Sequence, residues 1–213
     1  MLKDLTVNNF VNELASNSPA PGGGSVAALA ACLATSLSSM VFNLTVGKKA
    51  YNEYDDKIKE QINNALKEAE LNKNLFITLM DKDTEEFMAL MSSFKLPKTT
   101  EDEKKLRSEK IQEGYKGALD IPYEVAKQAF KTYNNIYIAC SYGNKNAISD
   151  AGVAALLLQA AIESAVLNVK INLTCIKDAN FVEEVRLHCD NIVRKGKEKR
   201  DEILSIVDSK IGL

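Results

Sequence analysis

A chain of 213 residues with 46% hydrophobic content has enough apolar side chain to bury a core, which sets aside disordered and fibrous classes. Its 27 Lys and Arg against 29 Asp and Glu give a net charge of −2 with no long block of either sign, which argues against nucleic acid as a partner. Four cysteines (Cys32, Cys140, Cys175, Cys189) without a CxxC pair, and a single histidine, His188, predict reduced, buried thiols in a cytoplasmic protein and no metal site. The start, MLKDLTVNNF, lacks the apolar core of a signal peptide.

Apolar residues recur with helical period almost throughout, and no stretch alternates Val, Ile and Thr between turns, so the predicted class is all-α. A short helix over residues 5–15 presents Val7, Phe10, Val11 and Leu14 on one face, and SNSPAPGGGS ends it. A helix of Ala, Ser, Val and Leu then runs to Val46, where Gly47, Lys48 and Lys49 give a C-terminal signal. Residues 24–46 carry no charge and are long enough to span a bilayer. Their Ser25, Thr35, Ser36, Ser38, Ser39, Asn43 and Thr45 are too polar for lipid, whereas small residues suit close packing, so a buried core helix is expected and no membrane.

Residues 55–92 form a long amphipathic pattern through Ile58, Ile62, Leu66, Ala69, Leu75, Leu79, Phe87 and Leu90 or Met91. At 1.5 Å per residue this is roughly 55 Å, a length natural to a bundle. LPKTT interrupts it, and Thr99 or Thr100 caps a charged helix. Pro122 donates no N–H and disfavours a helical Ile121, so it is expected to stop or kink that helix, with another over residues 123–140. SYGNKNAISD then leads into a second helix of small and aliphatic residues, AGVAALLLQAAIESAVLNVKINL. The last helix, residues 181–207, carries Val185, Ile192, Val193 and Ile203 on its buried stripe. No linker divides the chain, which predicts one domain over residues 1–213, an elongated antiparallel helical bundle.

Both small-residue helices start from loops rich in Gly, Asn or Pro, where free N–H groups and close backbone approach suit an anion or carbonyl site. Two such starts facing one another would line a cleft. PGGGS lacks the Lys and the following Ser or Thr of a Walker loop, and the plain alternative is a flexible connection. Asp81 and Asp83 are turned about 200° apart on a helix, so one can face a cleft while the other faces solvent. Asn168 and Asn172 share a face, where they either read a ligand or bond to a neighbouring helix. His188 lies outside both small-residue segments and reads as structural; Cys32 and Cys175 read as small core residues.

Together, SPAPGGGSVAALAACLA and GNKNAISDAGVAALLLQAAIESAVLNVKINL resemble the two signature segments of the cyclodeaminase/cyclohydrolase family. That family includes the cyclodeaminase domain of formiminotransferase-cyclodeaminase and the stand-alone methenyltetrahydrofolate cyclohydrolases. The resemblance covers essentially the whole chain, including LMDKDTEEFMALMSSFKLPK and the proline of ALDIPYEVA. It implies a dimeric all-α fold acting on a tetrahydrofolate derivative, with or without a polyglutamate tail, and no cofactor beyond that substrate. Water attacks the cyclic amidinium of methenyltetrahydrofolate to give formyltetrahydrofolate; in the deaminase reaction N10 closes the same ring and ammonia leaves. Either route needs a carboxylate near positive charge and a proton carrier.

The resemblance places Asp150 first among catalytic candidates, in the SDAG motif with Ser149, and keeps Asp83 beside it. The competing role for Ser149 or Asp150 is a helix N-cap. For substrate binding it implies Pro21, Gly22, Gly23, Gly24 and Ser25, then Asn144, Lys145, Asn168, Lys170 and Asn172, with Asn168 and Asn172 on pterin edges. Lys116, Lys145 and Lys170 are the candidates for the anionic glutamate or a proton relay. The expected activity is hydrolysis of 5,10-methenyltetrahydrofolate to 10-formyltetrahydrofolate, since the chain starts at the cyclodeaminase-like region with no formiminotransferase domain. The alternatives are formimidoyltetrahydrofolate cyclodeaminase and, of another class, a non-catalytic helical interaction protein.

Overall fold

A computed structural model describes residues 1–212. A 3-10 turn at Leu2–Asp4 precedes α1 (Val7–Leu14), and α2 (Gly23–Asn43) is followed by a turn and the short α3 (Lys49–Glu53). Two long helices, α4 (Asp56–Ser93) and α5 (Glu101–Tyr142), form a hairpin; a 3-10 turn at Lys145–Ala147 leads into α6 (Ile148–Leu173), and α7 (Ala179–Ile211) closes the chain. No strand occurs among the described residues.

Small side chains decide the centre of the bundle. Ala27, Ala28, Ala31 and Ala34 of α2 and Ala151, Ala154, Ala155, Ala161 and Ala165 of α6 are all fully buried, and the two helices lie antiparallel against each other with α4 and α5 packed around them. Two hydroxyls are buried at little cost because they bond back to α2: Thr35 Oγ1 donates to the Ala31 carbonyl at 2.8 Å, and Thr45 Oγ1, in the turn after the helix, to that of Val41 at 2.6 Å. Two helices, Gly23–Asn43 and Lys145–Leu173, are long and apolar enough to cross a membrane, yet 61% and 56% of their apolar windows lie inside the protein. α1 departs from expectation, for Phe10 is buried while Val7 and Val11 stand 82% and 53% exposed. The expected run of α2 to Val46 is also shortened, because a turn with Gly47 at φ +75° follows Asn43.

Thr100 caps α5 in a full capping box with Glu103. Of the expected stop or kink at Pro122, the stop does not occur, nor does a separate helix over residues 123–140: α5 runs unbroken for 42 residues with Pro122 buried inside it. The physical reason lies opposite the ring. A proline leaves the carbonyl four residues back without its helical donor, and here the Ala118 carbonyl accepts instead from Asn172 Nδ2 at 3.2 Å. The missing N–H thus becomes a tie between α5 and α6.

This tie is measurable by a double-mutant cycle. Asn172→Ala is expected to cost about 1 kcal/mol in denaturant unfolding and clearly less in a Pro122→Ala background, where the restored N–H occupies the Ala118 carbonyl.

Candidate functional site

Helix α2 begins without a cap of its own: Gly22 is its N-cap and makes no side-chain bond. The free N–H groups and positive dipole end of such a start favour an anion, and α4 supplies one. Ser25 Oγ donates to Asp83 Oδ2 at 2.8 Å and lies 3.4 Å from Thr84 Oγ1. The helices cross so closely that a Cβ on Gly24 would sit 2.0 Å from Asp83 Oδ1, and one on Gly23 would sit 3.0 Å from Asn168 Nδ2. Gly24 is therefore required by contact rather than by flexibility. Burial raises the Asp83 pKa from its ordinary value, against the opposing pull of the Ser25 hydroxyl and amide. A carboxyl that keeps its proton closer to neutrality suits a proton carrier.

This corner opens on a cavity of about 310 Å³, with Gly22, Gly23 and Gly24 on one wall, Phe87, Leu90, Met91 and Tyr115 on another, and Asn168 and Asn172 at its edge. Asn168 donates to the Ser164 carbonyl at 2.8 Å, and Asn172 donates to that of Asn168 at 2.9 Å as well as to Ala118. A second cavity of about 660 Å³ shares Ala20 and Thr84 with the first and is lined by Pro21, Asp81, Glu85 and residues of the N-terminal segment. Asp81, expected on a solvated face if Asp83 took the cleft, is instead 5% exposed, with its Oδ1 accepting from the Lys3 amide at 3.3 Å. The N-terminal turn covers that side of α4, which no periodicity of α4 could reveal.

Seven of the sequence candidates thus gather here with Asp83: Pro21, Gly22, Gly23, Gly24, Ser25, Asn168 and Asn172. Four do not. Because α2 and α6 are antiparallel, their starts lie at opposite ends of the bundle, separated by about 30 Å for a helix of this length. Asn144 donates from its backbone to Thr45 Oγ1 at 2.8 Å and from its side chain to the Leu44 carbonyl at 3.1 Å, beyond the far end of α2. Lys145 lines a separate cavity there with Lys48, Lys49, Tyr54 and Tyr142. Ser149 and Asp150 sit inside the first turn of α6, whose N-cap is Ala147, so neither caps it and neither meets the cleft within one chain.

The lysines are engaged elsewhere. Lys170 lies two residues from both Asn168 and Asn172, hence on the opposite face, and pairs with Asp190 at 2.8 Å. Lys116 lies 3.9 Å from Asp178 and over the Phe181 ring. His188 bonds the Tyr123 hydroxyl and stacks edge-on against that ring. Cys32 is buried, but Cys175, expected in the core, is only half-buried at the end of α6. Among the residues that the sequence did not single out for the site are Thr84 and Tyr115, along with Phe87, Leu90 and Met91, which read there as the apolar stripe of α4. Asp83, Thr84, Phe87, Leu90 and Met91 follow helical spacing on one face, so the apolar stripe itself was the available signal.

The chain is thus an all-α bundle with a half-buried carboxylate at a glycine-lined helix start. Residues 6–191 match the family model described as formiminotransferase-cyclodeaminase, and this chain belongs to that family. It is 36% identical over 211 residues to a methenyltetrahydrofolate cyclohydrolase of Methylorubrum extorquens, covering 99% of this chain and 100% of that protein. It is 31% identical to the formimidoyltransferase-cyclodeaminase of Rattus norvegicus, spanning 98% of this chain and 38% of that longer protein. The structure superimposes on that of formiminotetrahydrofolate cyclodeaminase from Thermotoga maritima with a TM-score of 0.78 at 25% identity, covering 99% of this chain and 97% of the other.

Gly24→Ala is expected to displace Asp83 and lower turnover about 100-fold, as misplacement of a reacting group by an ångström does. Its melting temperature should fall only modestly, because the atoms displaced belong to the end of a side chain. Unchanged turnover with a folded protein would refute the positioning role of this contact.

Proposed function

We propose that this chain hydrolyses 5,10-methenyltetrahydrofolate to 10-formyltetrahydrofolate. The observation that carries the reading is Asp83: a half-buried carboxyl with a raised pKa, held by Ser25 at the start of α2 and opening on a cavity with aromatic and aliphatic walls. The end-to-end similarity to a protein named for this activity supports it.

In the proposed reaction the substrate supplies its own electrophile, the amidinium carbon between N5 and N10, so no metal or redox cofactor takes part. The Asp83 carboxylate stabilises the cation and accepts a proton from the attacking water. As the adduct collapses, the bond from carbon to N5 breaks and N5 takes that proton, while the hydroxyl proton leaves to solvent as the formyl carbonyl forms. The similarity to the Thermotoga maritima protein favours one second reading, cyclodeaminase activity, in which N10 attacks the formimino carbon beside the same carboxylate and ammonia departs.

The active form we propose is a cytoplasmic homodimer, a compartment consistent with four free cysteines. Leu33, Met40 and Leu44 on α2 and Val153, Leu156, Leu167 and Ile171 on α6 are 38% to 68% exposed. On two helices packed side by side they make an apolar face, bordered by Glu70 and Lys73 near Met40, which a second copy covers about a two-fold axis running across the helices. That arrangement lays the α6 start of one copy, with Ser149, Asp150 and Lys145, beside the α6 end of the other. It gives these residues a route to the cleft, and gives an anionic polyglutamate tail its cations.

Purified protein should accelerate loss of the near-UV absorbance of 5,10-methenyltetrahydrofolate in a buffer where spontaneous hydrolysis is slow, and Asp83→Asn should reduce the rate about 100- to 10,000-fold. The same variant should be more stable than the parent near neutral pH. A folded-state pKa raised above the unfolded value favours folding fully below the ordinary carboxylate range, and that contribution is lost as pH rises through the raised value. The stability gap should therefore close on acidification. No acceleration, with ammonia released from formiminotetrahydrofolate, would select the second reading. Leu156→Glu with Leu167→Glu should run as a monomer in light scattering, and an intact dimer would reject the proposed face.

A further inference from the structure

We infer that the cavity beside the cleft seats the pterin of the substrate, with Asp81 as the residue that reads its amino-pyrimidine edge; this rests on the folate reading above. The cavity is acidic, with Glu13, Asp81 and Glu85 and the amides Asn9 and Asn12 among its lining residues and no Lys or Arg, and the N-terminal ammonium of Met1, which also borders it, is paired with Asp4 at 3.5 Å. Asp81 is 5% exposed, and its two oxygens are unequal. Oδ1 accepts from the Lys3 amide at 3.3 Å, whereas Oδ2 is buried with no partner among the described residues. A buried carboxylate oxygen without a donor is costly, and a ligand N–H is the group that removes the cost.

The pterin offers such donors side by side, an exocyclic amino group and the adjacent ring N–H, and a carboxylate pairs with both. The other end of the substrate is a glutamate, which this cavity repels. Orientation follows from that asymmetry. The reacting carbon joins pterin and aminobenzoyl halves, and the two cavities share Ala20 and Thr84 in their walls, next to Asp83. With the pterin on Asp81, the amidinium lies at Asp83 and the aminobenzoyl ring lies against Phe87, Met91 and Tyr115. Asn168 and Asn172, candidates for the pterin by sequence, already commit their amide nitrogens to main-chain carbonyls and line the other cavity. Since Asp81 Oδ2 lies beneath the N-terminal turn, entry of the pterin edge shifts Leu2–Asp4.

The test compares equilibrium binding of 5-formyltetrahydrofolate with that of p-aminobenzoylglutamate, which lacks the pterin. Asp81→Asn is expected to weaken the folate about 10- to 100-fold, the range for losing a hydrogen bond to a charged group, and to leave the fragment unchanged. Leu5→Trp, which fills the same cavity from its rim and keeps Asp81, should show the same selective loss and carries the test if Asp81→Asn does not fold. Equal weakening of both ligands, or no weakening of either, overturns the assignment of the pterin alone. A parent protein that binds neither ligand overturns the folate reading, and this inference with it.

Discussion

The contact on which the site depends is the crossing of α4 over the first turn of α2. Asp83 reaches the Ser25 hydroxyl at 2.8 Å only because Gly24 has no side chain, since a Cβ there would overlap the carboxylate. One geometric fact therefore does three things. It supplies the anion that an uncapped helix start favours, it withdraws a carboxyl partly from water and raises its pKa, and it leaves that carboxyl at the edge of an apolar-walled cavity. Burying Asp83 opposes folding near neutrality, and the packing of the bundle offsets that cost.

That packing comes from the residues which made α2 and α6 resemble membrane spans. Alanines at the α2–α6 contact bring two backbones close, and hydroxyls that bond back to the preceding turn allow Thr35 and Thr45 into the core without an outside partner. The same slimness leaves one side of each helix with Leu, Met, Ile and Val facing outward. A helix of small residues packed on several sides has few large groups to spare, so the exposed ones on the remaining side stand out as an unfilled contact.

Much of the fold was legible because long helices declare themselves by period: the limits of α4 follow from pattern to within a residue, and cap chemistry narrowed the α5 cap to Thr99 or Thr100, of which Thr100 is the cap. The failures have a common cause, a partner from elsewhere in the chain. Pro122 was read by its local effect, but Asn172 of α6 bonds the carbonyl it frees. Asp81 was assigned to solvent because α4 cannot announce that the N-terminal turn lies over it. For the candidate site, the glycines, Ser25, Asp83 and the asparagine pair gather at one end of the bundle, whereas Asp150 and Lys145 lie at the other end of the same chain. Similar loops at two helix starts suggest one cleft only if the helices are parallel, and helix direction is a property of the assembled bundle.

Pro122 and Gly24 show the same logic at different scales. Each omits a group that a regular helix would carry, an N–H in one case and a Cβ in the other, and each omission is filled by a polar side chain from a neighbouring helix. Asn172 enters one gap and Asp83 the other, and both side chains border the same cavity. The cavity thus lies where helices are tied by polar contacts in place of apolar interdigitation. Those contacts fix side-chain positions at its border more narrowly than apolar packing alone would, because a hydrogen bond has a preferred direction as well as a distance.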